Sequence, residues 1–146
     1  MLFRSLYSNQ LTGNVPLSWA QRMESLDLFA AWDNMLRGSI PSGWRAAKLV
    51  LSNNGFTSLP ATLSSSVNSL HVSANPLNTS IVPCYPFLKE LFVERCAGVT
   101  SLNDTCEYAN LNRLGISETG FDALPWNISS ILPSLIFLSE IGRAHV

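Results

Sequence analysis

Charged residues are scarce in this 146-residue sequence, where Asp, Glu, Lys and Arg make up 13% of the chain against about 25% in an ordinary globular domain. Ten acidic residues against nine basic ones give a formal net charge of −1. No excess of positive charge therefore points to nucleic acid or to an anionic membrane surface. Hydrophobic residues reach 47% of the chain, which excludes a disordered polypeptide.

Long apolar runs, histidine and cysteine are scarce as well. No stretch approaches the roughly 18 consecutive apolar residues of a membrane-spanning helix, and no signal-peptide pattern begins the chain. Only His71 and His145 carry imidazoles, and the three cysteines form no Cys-x-x-Cys pair. The sequence thus indicates no zinc site, no cofactor and no nucleophile set beside a base, and we expect a protein that is not an enzyme.

In contrast, Leu (22), Ser (20) and Asn (12) supply more than a third of the chain and follow a repeat. An apolar residue recurs at positions 0, 3, 5 and 10, and position 8 is Asn, Cys or Thr. The exceptions are Arg4 at position 3 of the first unit and Val99, one place late, in the fifth. The position-8 residues, at steps of 25, 20, 21, 21 and 23, are Asn9, Asn34, Asn54, Asn75, Cys96 and Thr119. Such spacing is typical of leucine-rich repeats, whose units span about 20 to 29 residues.

The repeat predicts the α/β class and a leucine-rich repeat solenoid, curved as a horseshoe arc, over residues 1–138. It would contain about six repeats and a truncated seventh. Alternation at positions 3 and 5 predicts short strands that pair in one parallel sheet. Position 8 would point inward and bond the backbone of the next coil, forming a ladder. The return limbs are expected to be irregular or 3-10, with little helix. The alternative is an ordinary Leu-rich α/β domain.

The cysteines and the glycosylation sequons depend on the coil stack. Cys84 and Cys106 occupy near-equivalent places on adjacent coils, which suits the Cα separation of about 4.4–6.8 Å that a disulfide needs. We expect this bridge, and the alternative is two buried thiols in a cytosolic repeat. Cys96 would be a reduced, inward thiol. Three sequons fall in return limbs, at Asn78, Asn103 and Asn127.

The outward positions 2, 4 and 6 of successive strands form the surface most suited to binding. They predict an oblique aromatic and apolar stripe across the concave sheet, made of Tyr7, Trp32, Val50, His71 and Phe92. Because exposed apolar patches and aromatic residues mark interaction sites, we predict that the stripe binds a protein or glycan ligand. The alternatives are that the repeat register drifts and that His71 is an ordinary solvated residue.

Two units also carry a family resemblance. The run Asn9-Gln10-Leu11-Thr12-Gly13-Asn14-Val15-Pro16-Leu17-Ser18-Trp19, repeated around Asn34–Trp44, resembles the LTGxLPxxW units of kinetoplastid surface antigens. The Leu-x-Gly-x-Ile/Val-Pro part is also similar to plant receptor repeats, but Trp at the third place after Pro favours the antigens. The resemblance covers residues 1–45. It implies a non-catalytic binding protein that is secreted or anchored at the cell surface. A cytosolic leucine-rich repeat scaffold and a receptor-kinase ectodomain are the alternatives.

The C-terminal end resembles something other than a protein domain. Residues Ile141–Val146 are similar to the translation of one reading frame of a common sequencing adapter. We therefore expect residues 139–146 to be a non-native tail that contributes nothing to the fold. A genuine polar C terminus is the alternative.

Overall fold

A computed structural model describes residues 2–23 and 26–139 and shows a parallel β-solenoid of about six turns with little helix. Two helices are present among these residues, α1 (Leu17–Arg22) and α2 (Ile128–Ile131). The strands are β1 (Phe3–Ser5), β2 (Thr12–Asn14), β3 (Leu28–Ala30), β4 (Met35–Ser39), β5 (Lys48–Val50), β6 (Gly55–Ser58), β7 (Ser69–His71), β8 (Ile81–Val82), β9 (Glu90–Phe92), β10 (Ser101–Leu102), β11 (Arg113–Gly115) and β12 (Phe137–Ser139).

The main sheet takes one short strand from each coil, in the order β1-β3-β5-β7-β9-β11-β12. Every neighbouring pair is parallel, so the predicted parallel pairing and the low helix content are confirmed. The register aligns the repeat positions, because Leu49 pairs with Leu70, Leu70 with Leu91 and Leu91 with Leu114. Equivalent residues of successive coils therefore lie side by side on neighbouring strands.

The core lies behind this sheet and follows from the alternation of side chains along each strand. The middle residue of each strand and the residue two places later point inward, and they pack as two columns. Neither column is accessible to solvent through the central coils. The fully buried members are Phe29, Ala31, Leu49, Leu51, Leu70, Val72, Leu91, Val93 and Leu114.

The structure differs from the predicted single sheet with irregular or 3-10 return limbs. The return limbs form two further parallel ladders, β2-β4-β6 and β8-β10. Among residues 2–23 and 26–139 no 3-10 helix occurs, and the two short helices do not show the predicted α/β class. The physical reason is that the coil stack also brings the backbones after position 8 into register, so these limbs pair with one another. Gly13 and Gly38 take the same left-handed φ, +86° and +83°, in the two units that resemble each other.

The position-8 asparagines bond each coil to the one before it. Asn75 accepts a hydrogen bond from the N–H of Phe56 (3.0 Å) and donates to the carbonyl of Leu51 (3.1 Å). The same pair of links to the preceding coil is made by Asn34 and by Asn54. These side chains serve backbone groups that the strands leave unpaired.

The remaining position-8 residues make fewer of these bonds. Asn9 is exposed and bonds only within its own coil. The Cys96 thiol donates to the carbonyls of Val72 and Glu94, each at 3.5 Å, and Thr119 donates to Ile116 of its own coil. The ladder of amides is therefore complete at Asn34, Asn54 and Asn75 and weaker on either side.

A left-handed residue precedes every position-8 side chain, with φ between +52° and +59°. None of these residues is glycine, although the conformation costs an L-residue about 1–2 kcal/mol. The turn aims the next side chain into the coil. The six residues are Ser8, Asp33, Asn53, Ala74, Arg95 and Glu118.

Replacing Ala74 by Gly is expected to stabilise the protein by about 0.5–1 kcal/mol, since Gly adopts this φ without steric cost. Ala20→Gly, at a buried position inside α1, is the matched change and is expected to destabilise by about 1 kcal/mol or more. Urea unfolding of both variants measures the difference. A loss of stability in Ala74→Gly equal to that in Ala20→Gly would show that the turn is not left-handed.

The cysteines and the last strand of the main sheet hold the C-terminal half of the solenoid. Cys84 and Cys106 form a disulfide with their Cα atoms 5.7 Å apart, while the Cys96 thiol is free and buried. Ser139 belongs to β12 and pairs with Gly115, so the solenoid extends one residue beyond the expected boundary at 138. Residues 140–146, the remainder of the expected tail, lie outside the described residues, as does Met1 at the other end of the chain.

Candidate binding face

The outer face of the main sheet carries the side chains that alternate with the core. At its N-terminal end, the rings of Tyr7 and Trp32 stack in parallel, with centroids 4.6 Å apart and planes at 4°. Both side chains are exposed, at 48% and 37%. An aromatic pair that is stacked yet open to solvent offers a rigid apolar surface to a ligand.

The other three predicted residues form one column across neighbouring strands. Val50 pairs with His71 and His71 with Phe92, and the His71 and Phe92 rings lie 4.7 Å apart. The next member of the column is Gly115, where a Cβ would overlap the Phe92 ring. Glycine at this point therefore lets the ring lie flat across the strand.

The predicted stripe continues further than the sequence interpretation placed it. The guanidinium of Arg113 lies over the ring of Phe92 (5.6 Å) and over that of Phe137 (5.3 Å). Its Nη1 also lies 3.3 Å from Glu90 Oε1. Opposite charges at position 2 of adjacent coils, Glu90 and Arg113, were the signal that could have revealed this extension. We call the set Tyr7, Trp32, Val50, His71, Phe92, Arg113 and Phe137 the face stripe.

Glu90 is the polar centre of the C-terminal part of the face stripe. Its Oε2 accepts from Ser69 Oγ (2.9 Å) and lies 3.4 Å from His71 Nε2. Partial burial by itself raises the pKa of Glu90, but hydrogen bonds from Ser69, His71 and Arg113 outweigh burial and leave this pKa below its ordinary value. Burial lowers the pKa of His71, and the bond to Glu90 offsets only part of that effect. Nearby Lys48 lowers it further.

The lowered pKa of His71 predicts a pH dependence of stability. The pKa of His in the unfolded chain is about 6.5, and the pKa of His71 in the folded protein is lower. Below pH 6.5 the unfolded state therefore binds more protons than the folded state. We expect stability to be highest above pH 6.5 and to fall as the pH drops toward the folded pKa. His71→Gln should reduce this fall, as measured by urea unfolding between about pH 5 and 7.5. If the free energy of unfolding depended on pH in the same way in both proteins, the expectation would be contradicted.

Ser69, His71 and Glu90 include residue types found in nucleophilic catalysis, but their connections are different. The Ser69 hydroxyl donates to the Glu90 carboxylate, whereas an activated serine gives its proton to a histidine nitrogen. Ser69 is also only 3% exposed, so no substrate reaches its oxygen. The cluster can orient side chains on the face but has no accessible nucleophile.

The three sequon asparagines differ in access. Asn78 is exposed, whereas Asn103 and Asn127 are half-buried. The Asn103 Oδ1 accepts from the N–H and the hydroxyl of Thr105, and the Asn127 Oδ1 is buried with no partner among the described residues. If the chain meets the glycosylation machinery, Asn78 is the best placed acceptor.

The parts of the chain that the structure describes hold no group of three or more His, Cys, Asp or Glu arranged for a metal ion. No helix within those parts has the length and apolar character to cross a membrane. Comparison with known proteins adds no identity, since no protein-family model and no curated protein matches the sequence. Inferences about function therefore depend on the geometry of the face stripe.

Proposed function

We propose that this chain is a leucine-rich repeat recognition module, without catalytic activity, that binds a protein or glycan ligand through the face stripe. The repeat type is supported by coils of 20 to 25 residues, by leucine-rich inward columns and by asparagines that bond each coil to the preceding one. In such repeats the main sheet lines the concave side of the arc.

One observation carries the binding role. The face stripe presents aromatic rings and one arginine on five strands of the main sheet and just beyond the ends of β1 and β3, where parallel pairing fixes the strand backbone. Rings on a rigid sheet lose little entropy when a ligand binds, and Tyr, Trp and Arg dominate binding hot spots. Glu90 and its hydrogen-bond partners would add directional polar contacts that orient the ligand.

A location at the cell surface, in a protein of the kind found among protist surface antigens, is part of the same proposal. It is supported by the disulfide between Cys84 and Cys106, because disulfides persist in oxidising compartments. Intact mass before and after deglycosylation and reduction, on protein from its native source, tests this location. A glycan on Asn78 together with a reducible bridge supports it. Unmodified asparagines with three free thiols would favour a cytosolic scaffold.

Binding itself is tested with the full chain on a glycan array and on an array of extracellular proteins. For each ligand found, the double variant Tyr7→Ser/Trp32→Ser is compared with Leu17→Ser/Met35→Ser. The second pair is more exposed, at 52% and 54%, and lies outside the face stripe. We expect a loss of at least about tenfold in affinity for the first variant and no change for the second. Ligands that bind both variants equally would contradict the proposed face.

A further inference from the structure

A cleft opens between the return limbs of two coils, outside the face stripe. It has a volume of about 400 Å³ and separates β10 from residues 123–127 of the next coil. The β8-β10 ladder stops here because residues 123–127 form no strand, and Pro125 has no N–H with which to extend a ladder. The edge of β10 therefore faces a gap instead of a third strand.

The apolar lining of the cleft includes Trp126, a residue that is 96% exposed. Leu124 and Ile81 also line the cleft, and Ile81 is itself 54% exposed. A tryptophan with almost all of its surface in water contributes little to the core, so its ring faces are available to a ligand.

The polar lining of the cleft is held in place by hydrogen bonds and by the disulfide. Asn103 Oδ1 accepts two hydrogen bonds from Thr105, and the Asn103 N–H donates to Tyr108 Oη (3.1 Å). The N–H of Cys106 donates to the Asn103 carbonyl (3.1 Å), and the disulfide ties Cys106 to the preceding coil. Within the described residues the Asn103 Nδ2 has no partner, and Asp104 beside it is exposed. One donor and one carboxylate thus stand on a fixed turn.

We propose that this cleft is a second binding site, for a neutral pyranose sugar. The C–H face of the sugar ring would pack on the Trp126 indole, while its hydroxyls donate to the Asp104 carboxylate and accept from Asn103 Nδ2. Sugars present both an apolar ring face and adjacent donors and acceptors, which matches a cleft lined by one aromatic residue, one amide donor and one carboxylate. A cation fits less well because the cleft offers one ring, one carboxylate and a competing amide donor. The volume falls within the range of about 300–1,000 Å³ for small-molecule sites.

The test uses the full chain labelled with 5-fluorotryptophan. The protein is made in bacteria, because a glycan on Asn103 or Asn127 would itself fill the cleft. The sequence contains four Trp residues, and Trp126→Phe assigns the Trp126 fluorine signal. The probes are the methyl glycosides of mannose, glucose and galactose, N-acetylglucosamine, choline and glycerol. We expect at least one sugar to shift the Trp126 signal saturably below about 50 mM, while choline and glycerol do not. The Trp32 signal should stay unchanged, which separates this site from the face stripe.

Variants decide whether the shift reports the proposed contacts. Trp126→Ala and Asp104→Ala should each weaken sugar binding at least about tenfold, measured by saturation-transfer NMR on the sugar. Both side chains are exposed, so neither change should unfold the protein. Ile136→Ala, at an equally exposed position outside the cleft, is the matched control and should bind normally. No shift with any sugar, a shift with choline alone, or equal binding by all three variants would overturn the proposal.

Discussion

Replacement of Asn75 by Leu is expected to reduce the free energy of unfolding by about 3–5 kcal/mol. Asn75 is 3% exposed and its side-chain amide bonds four backbone groups, the N–H of Phe56 and the carbonyls of Leu51, Val72 and Ser73. In the variant the Phe56 N–H loses its acceptor, whereas the carbonyls of Leu51 and Val72 each lose one of two donors, because Asn54 and Cys96 still bond them. The buried Phe56 N–H left without a partner costs about 1–3 kcal/mol, and each of the other lost hydrogen bonds costs about 1 kcal/mol, so the loss is large although leucine is a similar size.

Asn9→Leu is the matched control for this prediction. Asn9 occupies the same repeat position, but it is exposed and bonds only the carbonyls of Leu6 and Tyr7 in its own coil. We expect its substitution to change stability by less than about 0.5 kcal/mol. Urea unfolding of both variants gives the comparison. Equal effects at positions 9 and 75 would mean that no internal ladder joins the coils.

Reduction of the disulfide is expected to cost about 3 kcal/mol of stability. The bridge joins residues 22 apart in sequence, and closing a loop of that length restricts the unfolded chain by about this amount. Cys84 is exposed, so a reductant has access to the bond. Urea unfolding with and without dithiothreitol measures the difference.

Two variants control for other effects of the reductant. Cys84→Ser/Cys106→Ser should already have the lower stability and should not respond to dithiothreitol. Cys96→Ala should keep the full response, because its thiol is free. A wild-type protein whose stability changes by less than about 1 kcal/mol on reduction would show that the bridge does not constrain the unfolded chain as expected.

The sequence was most informative where burial enforces a pattern. Leu70 and Val72 alternate with Ser69, His71 and Ser73 because a short strand with one buried face favours that arrangement. A repeat step of 20 to 25 residues then implies that equivalent residues stack. The parallel main sheet and its inward columns could therefore be predicted without coordinates.

Other features depended on geometry that no single repeat contains. The left-handed turn before position 8 has no glycine to reveal it, because the bonds of the following asparagine hold residues such as Asp33 and Ala74 in that conformation. The pairing of limbs into β2-β4-β6 depends on how coils of unequal length fit together. The clamp of Arg113 between Phe92 and Phe137 needs the register of three strands, and the cleft beside Trp126 needs the point at which a ladder ends.

The most direct test of the coil stack is a set of backbone NMR contacts between equivalent leucines. The account predicts nuclear Overhauser effects of parallel type between Leu49 and Leu70, between Leu70 and Leu91, and between Leu91 and Leu114, in the paired register of the sheet. Strands about 4.8 Å apart bring their backbone protons well within range. Antiparallel contacts, or none between these leucines in a folded protein, would contradict the parallel solenoid on which both binding proposals depend.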